Sequence, residues 1–234
     1  MALEISKAVA GMLACAIVAS CSENEPEVYT ITTQPGEIQV ISLDRDLAMA
    51  LNGASEAKVD EGSKTVALAR GEAAFTSKAD TASPWRVEFD DLALTDIGGL
   101  SRVTLGNKSA AIAVAESVVV VQPDAEDTRL AAGEAIKIRL DEGTVTRHEI
   151  SPETIGTWRM GRLEFDSTPI DEAMNRIERS TGLSVAVDPR FGEALLSGVI
   201  LIPEEPDDEE DFVNAMAKVI GGEANFENES WSIR

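Results

Sequence analysis

Short runs that alternate between apolar and polar residues fill most of the chain between Val28 and Arg147, with Gly, Asn and Asp between them. Residues 85–89 and 136–140 alternate residue by residue, which is the period of a half-buried strand. Residues 111–115 and 118–121 are more uniformly apolar and predict more deeply buried strands. Since no helical period appears, residues 28–147 are predicted to form about a dozen short strands, in a β-sandwich or a rolled β-domain.

The pattern changes after this region. Residues 148–157 show little periodicity and contain Pro152 and Gly156, which indicates a linker. From Trp158 to the C-terminus at Arg234, strand and helix periods alternate, which predicts a small α+β module of the βαβ-βαβ type. The strands are expected at residues 162–165, 183–187 and 197–202, the helices after Pro169 and at residues 211–220, and a closing hairpin at residues 223–234. The fold class is therefore mainly β, with a small α+β module at the end.

The N-terminal segment has the features of an export signal. Lys7 precedes an Ala-rich apolar stretch at residues 8–19, which is shorter than the about 20 residues that a spanning helix needs. The small residues before Cys21 resemble a lipobox, so residues 1–21 are predicted to be a lipoprotein signal with the lipid on Cys21. An uncleaved short membrane anchor is the alternative. Ser22 after the cysteine favours the outer membrane, and residues 22–27 form a polar tether.

Charge and residue usage narrow the function further. The formal net charge of −22 over 234 residues makes binding to nucleic acid improbable, because phosphate backbones repel such a chain. Both cysteines lie in the N-terminal segment, so the mature chain has no thiol for zinc or catalysis. The single histidine, His148, falls in the predicted linker, where a general base is poorly held. No enzyme, metal or cofactor is expected.

The sharpest charge feature is the acidic run at residues 204–211. It lacks the spaced oxygen ligands and central glycine of a calcium loop. A site for a divalent cation or a basic partner is one interpretation. A solvated loop leading into the second helix is the simpler one, since carboxylates are favourable at a helix N-terminus.

Six short motifs occur in the order and spacing of the FecR family. They are residues 68–75, 84–87, 130–134, 158–165, 175–177 with Gly182, and 197–199. Three positions depart from the family pattern: Ser101 replaces an aromatic residue, and Arg45 and Ser117 replace turn glycines. The chain therefore resembles a divergent FecR-family protein from about residue 29 to the C-terminus.

This resemblance implies a periplasmic, membrane-anchored sensor that relays a signal from an outer-membrane TonB-dependent receptor to an extracytoplasmic-function sigma factor. The family's cytoplasmic helical domain, which holds the sigma factor, has no counterpart ahead of the first apolar stretch. The expected partner is the N-terminal signalling domain of a TonB-dependent receptor or another envelope protein. The alternative is an envelope scaffold or assembly lipoprotein that docks on a secretin-like complex.

The module at residues 158–234 is also similar to the short N-terminal domain of secretins and TonB-dependent transducers. Such domains bind one another by surface packing and strand addition, and a small βαβ unit leaves strand edges free for this. Four large apolar residues are the candidate partner-binding side chains: Trp158, Leu163, Phe165 and Trp231. Ordinary core packing is the alternative role for all four.

Overall fold

The computed structural model describes residues 27–78, 85–95, 97–122, 128–203 and 208–234. The predicted signal segment and Cys21 lie outside these residues. Within the described part of the chain, no helix is long and apolar enough to cross a membrane. The protein is mainly β, which confirms the predicted fold class.

Thirteen strands in the described residues form one curled sheet. They are β1 Val28–Thr32, β2 Gln39–Ser42, β3 Leu47–Leu51, β4 Glu56–Asp60, β5 Thr65–Ser77, β6 Arg86–Phe89, β7 Leu92–Thr95, β8 Leu100–Leu105, β9 Ser109–Val114, β10 Val118–Gln122, β11 Thr128–Ala131, β12 Glu134–Arg139 and β13 Thr144–Glu149. The main path through the sheet is β11-β10-β7-β6-β5-β8-β9-β12-β13, and β1 to β4 pair beside it.

The long strand β5 organises the sheet because its two halves have different neighbours. Its first half pairs with β4 and, in parallel, with β6, while its second half pairs with β3 and β8. Gly71 lies at the change, with a φ of +94° that favours glycine. A Cβ on Gly71 would lie 2.1 Å from the hydroxyl oxygen of Ser55, so the close approach of Ser55 to β5 also depends on the missing side chain.

The sheet buries two faces of different character. One side of the sheet encloses a large hydrophobic core, in which Phe75, Phe89 and Leu47 are among the largest fully buried side chains. On the other side, Ala50 and Ala74 pack against the C-terminal module. Small side chains there let the module's backbone approach the sheet closely.

The C-terminal module contains two helices and two small sheets. Its elements are β14 Arg162–Pro169, α1 Ile170–Thr181, β15 Val185–Val187, β16 Leu195–Leu201, α2 Glu209–Ile220, β17 Ala224–Glu227 and β18 Ser230–Ile233. β14 pairs antiparallel with β16, whereas β18 lies between β15, which is parallel to it, and β17. Glycines in the left-handed conformation follow both helices, at Gly182 and Gly221, as is common at helix ends.

The segment between the two regions differs from the predicted linker. β13 continues to Glu149, so His148 and Glu149 are strand residues paired with Ala135 and Glu134. All six residues of β13 are exposed, and the strand is held at the sheet edge by backbone pairing to β12. One-turn 3₁₀ helices follow at Pro152–Thr154 and Thr157–Met160. The chain therefore enters the C-terminal module through ordered structure.

Candidate functional site

A cleft of about 1410 Å³ lies between the sheet and the C-terminal module. Arg102 of β8 and Lys137 of β12 line it on the sheet side, and Arg176 and Arg179 of α1 line it on the module side. Arg176 and Arg179 are three residues apart in α1, so both project from the same side of the helix. Glu72 of β5 belongs to the same lining. The cleft thus combines charged residues that are distant in the sequence.

The carboxylate of Glu72 is the centre of this charged cluster and is only 5% exposed. Its Oε1 accepts a hydrogen bond of 3.0 Å from Trp158 Nε1. Its Oε2 accepts hydrogen bonds from Asn52 Nδ2 at 3.1 Å and from Arg179 Nη1 at 3.3 Å. Arg102 Nε lies 3.7 Å from Oε1. One side chain of the sheet therefore binds the entry segment and the first helix of the module.

Electrostatics keep Glu72 ionised. Burial raises the pKa of its carboxyl, but the Arg102, Arg179 and Arg176 guanidiniums and the Asn52 amide together lower the pKa below its usual value. Because a buried charge is tolerated only with partners of opposite charge and with hydrogen bonds, this cluster ties the sheet to the module through a fully satisfied carboxylate.

Arg176 is held differently from the other two arginines. Its Nη2 donates a 2.9 Å hydrogen bond to the backbone oxygen of Glu164, and its guanidinium lies 4.6 Å from the centre of the Phe165 ring. Burial lowers the pKa of Arg176 and the positive charges of Arg102 and Arg179 lower it further, while the carboxylates of Glu72 and Glu172 oppose this shift. The guanidiniums of the cleft thus repel one another in a partly desolvated place.

Further backbone and side-chain contacts join the sheet region to the C-terminal module, and this contact region is here called the junction. The amide of Gly36 donates a 2.9 Å hydrogen bond to the backbone oxygen of Arg179. A Cβ on Gly53 would lie only 2.0 Å from that same oxygen. Asn52 Nδ2 also donates a 3.1 Å hydrogen bond to the hydroxyl of Ser180. At the mouth of the cleft, Lys137 Nζ and Glu172 Oε2 form an exposed ion pair of 2.9 Å.

A second surface, here called the apolar patch, lies on the C-terminal module. It consists of the exposed side chains of Met160, Val199, Leu201 and Val219, of which Leu201 is 72% exposed. These residues surround a shallow groove between β16 and α2. Within the described residues β16 pairs with β14 alone, so one edge of β16 is free beside the patch. Exposed apolar side chains grouped beside a strand edge are typical of protein-binding surfaces.

The four predicted partner-binding residues meet in the core of the module. Trp158, Leu163 and Phe165 are buried, and the half-buried Trp231 packs against the same cluster. Trp158 donates to Glu72, Phe165 lies beneath Arg176, and the ring of Trp231 is 4.8 Å from that of Phe226. Their role in binding a partner stays a prediction, and Trp231 is the most accessible of the four.

The other predicted sites are placed only in part. Cys21 and residues 204–207 lie outside the described residues. The rest of the acidic run lies at the start of α2, where Glu209, Glu210 and Asp211 form the first turn. This position agrees with the interpretation that acids favour the positive end of the helix dipole. Among the described residues, no group of three or more His, Cys, Asp or Glu side chains could hold a metal ion.

Sequence reasoning did not identify the charged cluster. Glu72 belongs to the motif at residues 68–75. The local sequence marks it only as a carboxylate among the apolar residues of β5. Asn52 directly follows an apolar strand, and Arg102 occupies a polar position of an alternating strand. None of these local patterns states which residues meet across the junction.

Comparisons with known proteins agree with this fold. Residues 29–120 match the model of the FecR protein family. Two crystal structures of a proposed anti-sigma factor from Parabacteroides distasonis are similar to the chain, with TM-scores of 0.75 and 0.74. Each shares 20% sequence identity with it, and each comparison covers 88% of this chain and 98% of the other. No protein of curated function matches the sequence. The FecR resemblance is confirmed for residues 29–120.

Proposed function

We propose that this FecR-like protein is a signal-relay protein of the cell envelope, which regulates a sigma factor by binding another envelope protein. The FecR match over residues 29–120 supports the regulatory role, and the likeness to a proposed anti-sigma factor supports the fold. The observation that carries the binding role is the apolar patch beside the free edge of β16. The role is one of binding and requires no reaction.

The favoured partner is the N-terminal signalling domain of an outer-membrane TonB-dependent receptor. Such a partner would add a strand to β16 and cover the apolar patch, because an unpaired strand edge offers backbone donors and acceptors in register. The patch also lies next to Asp208 and Asp211, which line the same groove. A strand with apolar residues and flanking basic residues would complement this surface.

Two valines of the chain provide a matched test. Val199 in β16 is 60% exposed and Val145 in β13 is 61% exposed. The purified chain from Ser22 onward is titrated with purified receptor signalling domains by calorimetry. Val199→Ser should weaken binding about tenfold, since it removes an apolar contact at the centre of the interface, while Val145→Ser should leave binding unchanged.

Equal effects of the two variants would contradict the assignment of the patch. Binding to a secretin domain in place of every receptor domain would favour the alternative, an assembly protein that docks on a secretin-like complex.

We also propose attachment to the membrane through a lipid on Cys21, with a short uncleaved anchor as the alternative. Labelling cells with a radioactive fatty acid distinguishes them. The chain with Cys21 should incorporate label, and Cys21→Ala should abolish it and leave the protein unprocessed, because acylation of this residue precedes cleavage. Label that persists in Cys21→Ala would contradict attachment at this residue.

A further inference from the structure

Three guanidiniums surround one buried carboxylate in the cleft between the sheet and the module, although the whole cleft is lined by more carboxylates than cations. The guanidiniums of Arg102, Arg176 and Arg179 all interact electrostatically with the single buried carboxylate of Glu72. Arg102 and Arg179 are each 17% exposed in their side chains, so water screens them only in part. Like charges held together in a partly desolvated place are unfavourable unless an anion compensates them.

Two of the three arginines retain binding capacity. Arg102 Nε is buried and lies 3.7 Å from Glu72 Oε1, too far for a hydrogen bond, and it has no other hydrogen-bond partner among the described residues. Arg176 forms no ion pair of 4.0 Å or less in the described part of the chain: Glu72 and Glu172 act on it at longer range, and it contacts a backbone oxygen and an aromatic ring. Guanidinium groups bind carboxylate and phosphate oxygens in a planar fork, which neither contact provides.

The carboxylates around the cleft restrict the kind of anion. Glu164 and Glu172 line it but are paired with Arg162 at 3.2 Å and with Lys137 at 2.9 Å. Asp166 and Asp171 also line the cleft, and Glu134 is paired with Arg147. Lys108, His148 and Glu149 complete the charged and titratable lining. An extended polyanion would meet these acids, whereas a small group would contact the arginines alone.

We propose that Arg102 and Arg176 bind a compact anion, a carboxylate or a phosphate group of a small molecule, in the cleft between the sheet and the C-terminal module. Arg102 belongs to β8 and Arg176 to α1, so one ligand would contact both regions. It would neutralise the excess guanidinium charge beside Glu72 and stabilise the junction by mass action. The arginines of this site are not part of the apolar patch, although Val199 lines both the cleft and the groove of the patch. The proposal does not depend on the envelope partner.

The experiment measures binding of inorganic phosphate and of succinate to the chain from Ser22 onward. Calorimetry and the shift in melting temperature are recorded at constant ionic strength set with chloride. Arg102→Gln and Arg176→Gln should each weaken binding about tenfold or more, because each removes a charge-assisted contact. Arg190→Gln is the matched control, since exposed Arg190 lies outside the cleft and the charge change is the same.

Arg176→Gln keeps the test valid if Arg102→Gln fails to fold, because Arg176 lies outside ion-pair distance of Glu72. Saturable binding of phosphate alone assigns a phosphate ligand, and binding of succinate alone assigns a carboxylate ligand. The proposal is overturned if neither anion binds saturably, or if the cleft variants bind as tightly as Arg190→Gln.

Discussion

The β-sheet region and the C-terminal module bury their apolar residues to different extents. The curled sheet encloses Phe75, Phe89 and Leu47 without exposing them. The module, with sheets of only two and three strands, leaves Val199 and Leu201 on its surface. The sheet region also exposes single apolar residues, such as Val40 and Val145. A small unit cannot bury all of its apolar surface, and in the module four exposed apolar residues line one groove beside a free strand edge: Met160, Val199, Leu201 and Val219.

This difference suggests separate roles: the sheet region supports the module, and the module carries the proposed binding surface. The module completes its own core with Ala50 and Ala74 of the sheet, so its fold is supported from outside. Its contact with the sheet also includes the buried charge of Glu72. A partner bound to the module could therefore influence the junction, whereas the core of the sheet lies apart from it.

Among the variants that test this difference, truncation of Phe75 should lower the free energy of unfolding most. Phe75→Ala leaves a cavity in the closed core and should lower the free energy of unfolding by about 3–5 kcal/mol. Phe226→Ala in the module is the control, because Phe226 is 58% exposed and its main loss is the ring contact with Trp231. That change should cost about 1 kcal/mol. Urea unfolding measures both, and equal losses would contradict the difference between the two regions.

Neutralising Glu72 should break the junction. Glu72→Gln removes the charge that Arg102 and Arg179 face, and it should lower the free energy of unfolding by roughly 3 kcal/mol at neutral pH. Unfolding in urea gives this value, with the exposed Glu229→Gln as a control of the same chemistry.

The pH dependence identifies the ionised carboxylate as the cause. Since the pKa of Glu72 is lower in the folded chain than its unfolded value of 4.5, its contribution is present above that pH and is lost as the pH falls through the folded pKa. The natural chain should therefore lose stability below about pH 4.5, and Glu72→Gln should lose less. An unchanged slope in the variant would assign the acid sensitivity to Asp44, Asp60, Glu37 and Glu134, whose pKa values are also lowered.

The strands that were predictable from the sequence are those with one buried face. β6 and β12 follow the alternation of residues 85–89 and 136–140. Successive side chains of a strand point to opposite faces of the sheet, so apolar residues alternate with polar ones where one face is buried. β13 has six exposed residues and no alternation, and its end at Glu149 depends on pairing to β12, which the local sequence does not encode. The predicted linker therefore began before the strand had ended.

The charged cluster was not predictable for a related reason. Glu72 contacts Asn52, Trp158 and Arg179, which lie 20, 86 and 107 residues away in the sequence. The period of apolar residues predicts which side of one helix or strand is buried, but it does not predict which helices and strands contact one another. Trp158 and Phe165 were recognised as important apolar residues, but the sequence does not show that Trp158 of the entry segment meets Glu72, or that Phe165 of β14 meets Arg176 of α1.

A methyl group at Gly53 tests how closely the helix α1 approaches the sheet region. Gly53→Ala would place its Cβ 2.0 Å from the backbone oxygen of Arg179, and moving the helix end away should cost about 1–3 kcal/mol. Hydrogen exchange at the Gly36 amide should become faster, because that amide donates to the same oxygen. Gly106→Ala is the control, since its nearest neighbour lies at 3.6 Å. Unchanged exchange in Gly53→Ala would show that the contact is not required.

The exposed ion pair between Lys137 and Glu172 should contribute least to the junction. Both side chains are about half exposed, so Lys137→Met should lower the free energy of unfolding by at most about 0.5 kcal/mol. Salt at about 1 M should remove that difference, because its screening length is about 3 Å, while the larger loss in Glu72→Gln should persist in salt. A loss of similar size in both variants would mean that surface charge holds the two regions together. The expected contrast instead assigns the junction to the buried carboxylate, whose surroundings exclude the ions that screen Lys137.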